Sequence, residues 1–156
     1  MIPPFEQEYA KIEKPLFLVA VSYTHNTEDA RDALADAALA AFKSYGKLRK
    51  PEYFKTWMTR IVINKCLDLL KSRHTELELS DQLQLMSAQP TENVELLDAV
   101  CRLGSDVAPY ITLRFYAGLN YEETAKTLGV PVSTAKYRTQ KALEALKIML
   151  EVTADE

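Results

Sequence analysis

Apolar residues recur at spacings of three and four along most of the 156-residue chain, with short polar breaks between the runs. This period is typical of helices that pack through one face. We predict seven helices, near residues 5–23, 28–45, 51–73, 92–103, 107–116, 121–128 and 133–150. Asn26 or Thr27 can cap the second helix. Pro51 suits the first turn of the third helix, and Pro15 can start or kink the first. The predicted fold is all-α.

The helical pattern breaks in residues 75–91, which have weak helical phase and carry no basic residue. We therefore predict a linker over 75–91 that joins two helical domains, 1–74 and 92–156. A short strand or a docked helix is an alternative for this stretch, because polar residues alternate there with Leu77, Leu79, Leu83 and Leu85.

The last two predicted helices are joined by a tight turn. Ala125 and Gly129 are four residues apart, where a small side chain lets a second helix cross closely and a glycine can end the first helix in the left-handed conformation. Asn120 and Glu123 form an approximate capping box at the start of the first helix, and Ser133 is placed to cap the second. This arrangement predicts a helix-turn-helix.

The final helix has two different faces. One face is predicted to point inward and carries Ala135, Thr139, Ala142 and Leu146. The opposite face carries Lys136, Tyr137, Gln140, Lys141 and Glu144. Side chains of these types donate hydrogen bonds to phosphates and base edges, so the outward face is a candidate DNA-reading surface. A solvated amphipathic helix is the alternative interpretation.

The formal net charge of −3 conceals an uneven distribution. Residues 43–73 carry nine basic and two acidic residues, and residues 107–150 carry six and three. Residues 74–106, between them, carry one basic and seven acidic residues. Clustered basic residues are the electrostatic mark of nucleic-acid binding. Two basic segments therefore flank an acidic one, and the negative total charge does not argue against a nucleic-acid-binding protein.

Several other classes of protein are disfavoured. No run approaches the roughly 20 apolar residues of a membrane span, and the first residues do not have the pattern of a signal peptide, so we expect a cytoplasmic protein. Cys66 and Cys101 lack CxxC spacing, and we expect buried free thiols. His25 and His74 lie at predicted helix ends, without an HExxH motif or a glycine-rich phosphate loop. We expect no enzymatic activity, cofactor, metal or small-molecule substrate.

Two motifs together carry a resemblance to a known family. The pattern F-x-x-W-x-x-R-I-x-x-N-x-x-x-D-x-x-x-x-R is matched by Phe54, Trp57, Arg60, Ile61, Asn64, Asp68 and Arg73. The pattern G-V-P/S-x-G/S-T-V-K/R-S/T-R is matched by Gly129, Val130, Pro131, Ser133, Thr134, Lys136 and Arg138, with departures at Ala135 and Tyr137. Over nearly its whole length the chain resembles bacterial sigma factors of the extracytoplasmic-function group, which have a helical domain, a linker and a helix-turn-helix domain.

The resemblance implies that the second helix binds the clamp helices of the RNA polymerase β′ subunit. The comparable positions are Asp29, Asp32, Leu34, Asp36, Leu39 and Phe42. Their acidic side chains suit a basic partner surface. Ala35, Asp36 and Ala38 stand where the family often has glutamine, glutamate and a large hydrophobe. An alanine-rich helix that only packs within its own domain is the alternative.

The resemblance also implies a pocket that captures an unpaired base of the minus 10 promoter element, with Asn64 reading the base. The residues expected to bind there are Lys47, Leu48, Arg49, Lys50, Arg60, Asn64 and Lys65. Leu48 replaces a frequent aromatic residue. Trp57 and Ile61 are expected to be core residues. The alternative for Asn64 is an ordinary polar residue on the helix surface.

By the same resemblance, the helix-turn-helix reads the minus 35 element. The residues expected to contact that DNA are Ser133, Thr134, Lys136, Tyr137, Arg138, Gln140 and Lys141, with Arg138 alternatively supporting the fold. Leu143 and Glu144 stand where the family often keeps another cation. Fewer cations imply weaker attraction to the phosphate backbone, so we expect poor binding to DNA in the absence of polymerase.

Three functions are compatible with these patterns. The first is a transcription initiation factor that binds core RNA polymerase through the β′ clamp helices and the β flap, and whose other partners are promoter DNA and an anti-sigma factor. The second is a degenerate sigma-like protein that binds polymerase or an anti-sigma factor without efficient promoter recognition. The third is a homodimeric helix-turn-helix regulator that works alone.

Overall fold

The computed structural model describes residues 3–76, 94–104 and 106–155, and these residues contain helices and turns but no strand. The helices of the N-terminal half are α1 (Phe5–Thr24), α2 (Thr27–Ser44) and α3 (Phe54–Glu76). Those of the C-terminal half are α4 (Val94–Leu103), α5 (Ala108–Ile111), α6 (Tyr121–Leu128) and α7 (Val132–Asp155). The all-α prediction is therefore confirmed.

The three N-terminal helices pack around one hydrophobic core. Leu16 and Val19 of α1 and Met58 and Val62 of α3 are fully buried within it, and α2 contributes mainly alanines. Small side chains allow α2 to approach the other helices closely. Asn26 caps α2 as predicted, since its side-chain oxygen accepts a hydrogen bond of 2.9 Å from the backbone N–H of Asp29.

A group of aromatic rings closes one end of this core. Phe5 and Phe54 are buried, and their ring centroids lie 5.9 Å apart in an edge-to-face arrangement. Tyr45 meets both rings edge-on at 5.5 and 5.8 Å. Trp57 lies 5.8 Å from Phe54 and, like Ile61, is partly buried against the core. The packing role predicted for Trp57 and Ile61 is confirmed.

The described residues of the C-terminal half form two smaller hydrophobic clusters. One joins α4, α5 and α7 and contains Ala99, Val100, Ala108, Ile111, Ala142 and Leu146. The other contains Tyr110, Ala125 and Ala135, where α5, α6 and α7 meet. Alanines at these crossings bring the helix backbones close together, as the predicted helix-turn-helix requires.

Part of the C-terminal half also packs into the N-terminal core. Cys101, Leu113, Ala117 and Leu119 are buried there, and the half-buried Leu128 packs against the same core. The hydroxyl oxygens of Ser22 and Thr112 lie 3.0 Å apart across this contact. The two halves are therefore held against each other by both apolar packing and polar contacts.

Several predicted element boundaries need correction. Ser133 does not cap α7 but lies in its first turn, because the helix already begins at Val132. Pro51 begins a short 3₁₀ turn, Pro51–Tyr53, and α3 starts only after it. The helix predicted near 107–116 is α5 followed by a π-helical turn, Thr112–Tyr116. Pro15 lies inside α1 and does not start it.

Two other predictions concern the linker and the thiols. Most of the linker predicted over residues 75–91, including its four alternating leucines, lies outside the described residues. Cys66 and Cys101 are free and buried, as expected. Burial raises the pKa of the Cys66 thiol to about 12 and that of Cys101 to about 11, so both remain protonated and weakly nucleophilic at neutral pH.

None of the described helices combines the length and apolarity needed to cross a bilayer.

Candidate nucleic-acid interface

The helix-turn-helix is fixed by hydrogen bonds close to its turn. The Asn120 side chain accepts a hydrogen bond of 2.8 Å from the Glu123 N–H, and the Glu123 carboxylate accepts one of 2.9 Å from the Asn120 N–H. At the other end of α6, Gly129 has the left-handed conformation, with φ of 72°. The Val130 N–H donates to the Ala125 carbonyl over 3.0 Å. The predicted capping box and glycine turn are therefore confirmed.

The buried and exposed faces of α7 carry the residues predicted for each of them. Ala135, Thr139, Ala142 and Leu146 are buried. Along the opposite face, the exposed residues are Ser133, Lys136, Tyr137, Gln140, Lys141 and Glu144, while Thr134 is half-buried. Each of these exposed residues has another three or four positions away, which places them on one stripe of the helix.

Aromatic rings position the cations of this stripe. The Lys136 ammonium lies 5.9 Å from the centre of the Tyr121 ring, and the Arg114 guanidinium lies 4.9 Å from the same ring. Lys141 is 5.6 Å from the Tyr137 ring centre, and its ammonium is also 4.0 Å from a Glu144 carboxylate oxygen. Cation–π contacts of this kind favour particular side-chain positions without neutralising the charge.

Arg138 points away from this stripe. Its guanidinium donates a hydrogen bond of 3.1 Å to the Tyr110 hydroxyl and lies 5.9 Å from the centre of that ring. Tyr110 is buried in the cluster that joins α5, α6 and α7. Of the two roles considered for Arg138, this contact favours support of the fold.

A second group of cations lies where α2 is connected to α3. Lys47, Arg49 and Lys50 are exposed there, and the Lys50 ammonium lies 5.7 Å from the Tyr53 ring centre. Leu48 instead packs partly against the N-terminal core. The connection therefore presents cations to solvent while its leucine anchors it.

The outer surface of α3 continues from this connection. Arg60 and Asn64 are exposed one helical turn apart, and Lys65 next to Asn64 is half-buried. The Asn64 amide has both a donor and an acceptor, so it can pair with the edge of a base. Of the residues predicted for the minus 10 element, Leu48 therefore packs inward, Lys65 is half-buried, and the other five are exposed on the connection and on α3.

Helix α2 has a third distinct surface. Asp32 and Asp36 are exposed, and Leu39 and Phe42 follow on the same face with 56% and 55% of their area exposed. Such large exposed hydrophobic side chains next to carboxylates are typical of a protein-binding surface. Asp29 and Leu34, predicted for the same surface, are buried instead, and Leu34 is part of the N-terminal core.

Comparison with known proteins places these surfaces in a family context. The sequence profile of Sigma-70 region 2 matches residues 9–75, and that of Sigma-70, region 4 matches residues 110–147. The ECF RNA polymerase sigma factor SigM of Mycobacterium tuberculosis is 30% identical over 150 residues, covering 94% of this chain and 76% of SigM. The RNA polymerase sigma factor SigV of Bacillus subtilis is 27% identical over 142 residues, covering 88% and 86%.

The chain belongs to the extracytoplasmic-function sigma factors of the sigma-70 family. Solved structures show the same fold. The sigma factor RpoE of Bartonella quintana, in complex with the anti-sigma factor NepR, superposes with a TM-score of 0.79 at 22% identity, covering 95% of this chain and 97% of RpoE. CnrH, in complex with the cytosolic domain of CnrY, gives 0.65 at 24% identity, covering 95% and 88%. The resemblance inferred from the two motifs is therefore confirmed.

Sequence reasoning missed two residues of this sigma factor that lie beside the α7 stripe. Arg114 and Tyr121 come from the π-helical turn and from the start of α6, so their approach to Lys136 depends on the fold. One sequence signal for this aromatic contact was available. Tyr121 directly follows Asn120, at the start of the first predicted helix of the motif. Among the described residues, no group of three or more histidine, cysteine or carboxylate side chains could hold a metal ion.

Proposed function

We propose that this sigma factor binds core RNA polymerase, recognises the minus 35 and minus 10 promoter elements, and promotes local melting of the DNA. The observation that carries the proposal is the placement of three different surfaces on three elements: a cationic stripe on α7, a cationic surface at the start of α3, and an acidic and apolar face on α2. The division at residues 1–74, 75–91 and 92–156 is part of the same proposal.

The stripe on α7 is proposed to read the minus 35 element. Lys136, Tyr137, Gln140 and Lys141 are exposed on the N-terminal part of the helix, which is the part that usually enters the major groove. Lys136 and Lys141 would contact phosphates, while the Gln140 amide has the donor and acceptor needed for an adenine edge. Ser133 and Thr134 would contact the backbone at the helix start, where N–H groups favour phosphate.

The surface of α3 is proposed to hold the melted minus 10 strand. The exposed Asn64 amide would hydrogen-bond an extruded base, and Arg60 and Lys65 would neutralise nearby phosphates. Lys47, Arg49 and Lys50 would extend the attraction along the strand. Because Leu48 packs inward, it supports this connection rather than stacking on a base.

The exposed face of α2 is proposed to bind the β′ clamp helices, and the C-terminal half the β flap. Asp32 and Asp36 provide carboxylates for basic partner residues, while Leu39 and Phe42 provide apolar area that binding would remove from water. The buried Asp29 and Leu34 would then shape this face from beneath. The proposed polymerase-binding surface therefore has four exposed residues, fewer than the six α2 residues expected from the family resemblance.

An anti-sigma factor is a further proposed partner, supported by the solved complexes of RpoE with NepR and of CnrH with CnrY. Sigma factors are non-catalytic regulatory proteins, and we propose that this one has neither an enzymatic activity nor a small-molecule substrate. We also propose that it works in the cytoplasm, where promoter DNA and polymerase meet.

The direct test is run-off transcription from fragmented genomic DNA with purified core polymerase, with and without the protein. New transcript starts that share a two-block upstream motif would support the proposal. Core binding without new starts would favour the degenerate interaction protein, an alternative supported by the Lys141–Glu144 ion pair and the inward-facing Leu48. A tight operator complex formed without polymerase would favour the stand-alone regulator.

Substitutions in α3 and in α7 test the proposed roles of these two surfaces separately. We expect Asn64→Ala to reduce promoter opening by permanganate footprinting while core binding is kept. Lys136→Ala with Lys141→Ala should weaken upstream contact, with Lys126→Ala, exposed on α6, as the matched control. Loss of core binding in both site variants would indicate misfolding and would contradict the assignments.

A further inference from the structure

An exposed tyrosine precedes α3, next to the cations of the connection from α2. The Tyr53 side chain has 57% of its area exposed, and the Lys50 ammonium lies 5.7 Å from the centre of its ring. Exposed aromatic rings beside cations are typical of surfaces that bind single-stranded nucleic acid, because a base stacks on the ring while the cations attract phosphates. The proposed minus 10 contacts are hydrogen bonds and charge contacts, so this ring would add a contact of a different kind.

The backbone holds the ring in its outward position. The Tyr53 N–H donates a hydrogen bond of 3.0 Å to the Lys50 carbonyl, within the 3₁₀ turn that Pro51 begins. Phe54 follows with α-helical dihedral angles, φ of −57° and ψ of −45°, and its side chain is buried in the N-terminal core. The turn therefore runs directly into α3 and is anchored at Phe54. A ring that is held in this way loses little conformational freedom when a base stacks on it.

Tyr53 shares the exposed side of α3 with residues proposed for the minus 10 strand. Arg60 and Asn64 follow it by seven and eleven positions, and all three residues are exposed. At 3.6 residues per turn these spacings are close to two and three full turns, so the three side chains lie on one stripe. The fully buried Met58 and Val62 lie on another face of the helix. One strand can therefore contact the ring, the guanidinium and the amide in succession.

The rise of the helix sets the distance between the ring and the Asn64 amide along that strand. Eleven residues of helix span about 16 Å. A stacked strand advances about 3.4 Å per nucleotide, so a base on Tyr53 is no more than about five nucleotides from the base read by Asn64. An extended strand covers the same distance with fewer nucleotides. The ring would therefore meet a second base, separate from the one at Asn64.

The charges around the ring favour a phosphate backbone as its neighbour. Lys47, Arg49 and Lys50 are exposed on the connection that leads to Tyr53, and Glu52 is the acidic residue of the same stretch. The excess of positive charge attracts a polyanion. A base attached to that backbone is thereby brought close to the ring.

We propose that Tyr53 is a stacking platform for an unpaired base of the minus 10 strand, at a position separate from the base that Asn64 reads. Lys50 positions the ring and neutralises an adjacent phosphate. This proposal rests on the proposed function. Because stacking accepts every base, the platform contributes affinity for melted DNA and little sequence preference.

Photocross-linking tests whether a base meets the ring. The protein and core polymerase are bound to a single-stranded oligonucleotide with the minus 10 sequence found by run-off transcription, which carries 5-iododeoxyuridine at one position at a time. Long-wavelength ultraviolet light links this base to an aromatic ring stacked on it, and mass spectrometry of the peptides locates the link. We expect a link to Tyr53 from a position other than the one whose base preference Asn64→Ala removes. A link from that same position, or no link to Tyr53 from any position, would overturn the proposal.

Substitutions of Tyr53 distinguish stacking from other contacts. We expect Tyr53→Ala to weaken binding of the oligonucleotide to the holoenzyme by about fivefold to a hundredfold, with core polymerase binding and the far-UV circular dichroism spectrum unchanged. Tyr53→Phe keeps the ring and should bind within about twofold of the wild type, whereas Tyr53→Leu, apolar but without a ring, should resemble Tyr53→Ala. Unchanged binding by Tyr53→Ala, full binding by Tyr53→Leu or weak binding by Tyr53→Phe would each contradict stacking. Weaker core polymerase binding by Tyr53→Ala would assign the ring to polymerase instead.

Phe115 provides a matched control in the C-terminal half. Its ring is 47% exposed, and the Arg114 guanidinium lies 5.4 Å from the ring centre, so the pair resembles Tyr53 with Lys50. We expect Phe115→Ala to leave binding of the minus 10 oligonucleotide unchanged. A loss as large as that of Tyr53→Ala would show that exposed rings bind single strands without regard to position, and the proposed platform would be wrong.

The salt dependence of binding separates the ring from its cation. We expect Tyr53→Ala to keep the wild-type slope of log affinity against log salt concentration, because no charge is removed. Lys50→Ala should reduce that slope by about 0.7, the value for one phosphate contact on a single strand. A reduced slope in Tyr53→Ala would attribute its loss of affinity to charge and would overturn the stacking role.

A failure of the proposed function can be distinguished from a failure of the platform. If the holoenzyme binds the oligonucleotide no better than core polymerase alone, or if no promoter is found, the proposed function fails. The free protein is then cross-linked at low salt to oligothymidylate that carries 5-iododeoxyuridine, because stacking does not require the promoter sequence. A link to Tyr53 that persists in Phe115→Ala would support the platform, and the absence of this link would overturn it.

Discussion

The two halves of the molecule bury their hydrophobic residues in different ways. The N-terminal half has one continuous core with large side chains such as Leu16, Met58 and Phe54. The C-terminal half divides its core into two small, alanine-rich clusters and contributes Leu113 and Leu119 to its neighbour. The difference indicates that the C-terminal half depends on the N-terminal half for part of its stability.

The largest expected loss of stability comes from a substitution in the larger, N-terminal core. Met58→Ala removes a fully buried side chain, and we expect a loss of about 2–5 kcal/mol in the free energy of unfolding. Because the C-terminal half relies on this core, urea transitions followed by Trp57 fluorescence and by far-UV circular dichroism should shift together. Trp57 is the only tryptophan of the chain, so its fluorescence reports on the N-terminal half.

Leu146→Ala is the matched change in a C-terminal cluster. We expect a loss near the lower end of the same range, and a smaller shift of the Trp57 transition than of the circular dichroism transition. Lys71→Ala, exposed on α3, should change stability by less than about 0.5 kcal/mol. Equal shifts of both probes in Leu146→Ala would contradict the dependence inferred for the two halves, because they would show a single cooperative core.

The sequence was sufficient for features that depend on near neighbours. Asn120, Glu123 and Gly129 act within a few residues of one another, and both the capping box and the left-handed turn were predicted. The contact between Ser22 and Thr112 joins residues 90 positions apart. It also depends on a π-helical turn that helical periodicity does not distinguish from an α-helix, so the sequence could not predict it.

Family resemblance located the candidate surfaces but not the burial of their members. Asp32 and Asp36 are exposed, whereas Leu34, only two positions from each, faces the core. Leu48 similarly packs inward between exposed cations. A motif compares positions along the chain, while burial depends on which other helices cover each side, and this requires the packed structure.

The two helix caps permit a smaller, local comparison. Asn26 caps α2 in the N-terminal half with one side-chain hydrogen bond, and Asn120 caps α6 with a reciprocal pair. We expect each asparagine-to-alanine change to cost about 1 kcal/mol. Amide hydrogen exchange should increase mainly in α2 for the first variant and in α6 for the second. Increased exchange throughout both halves in either variant would contradict local capping.

The contact between Arg138 and Tyr110 tests what holds the DNA-reading helix. Tyr110→Phe removes the hydroxyl that accepts the hydrogen bond and keeps the ring. We expect a loss of about 0.5–1.5 kcal/mol, measured by urea unfolding followed by circular dichroism. If Arg138→Lys weakens promoter binding at unchanged stability, the arginine contacts phosphate and its assignment to the fold is wrong.

The smallest expected effect concerns His25, which ends α1 in the left-handed conformation with φ of 54°. Burial lowers the pKa of this imidazole, and its Nε2 atom has no hydrogen-bond partner among the described residues. The unfolded chain therefore takes up the proton near its usual pKa of about 6.5, before the folded chain does. This contribution to stability is complete above that pH and is lost as the pH falls through the lower folded value.

His25→Asn removes the titrating group, and asparagine tolerates the left-handed conformation. We expect the stability of the wild-type protein to fall more steeply between pH 7 and 5 than that of the variant, measured by urea unfolding at each pH. Carboxylates titrate in both proteins, so the difference between the two curves isolates the histidine. Parallel curves would show that His25 takes up its proton equally in the folded and unfolded states, contrary to the effect expected from its burial between the end of α1 and the start of α2.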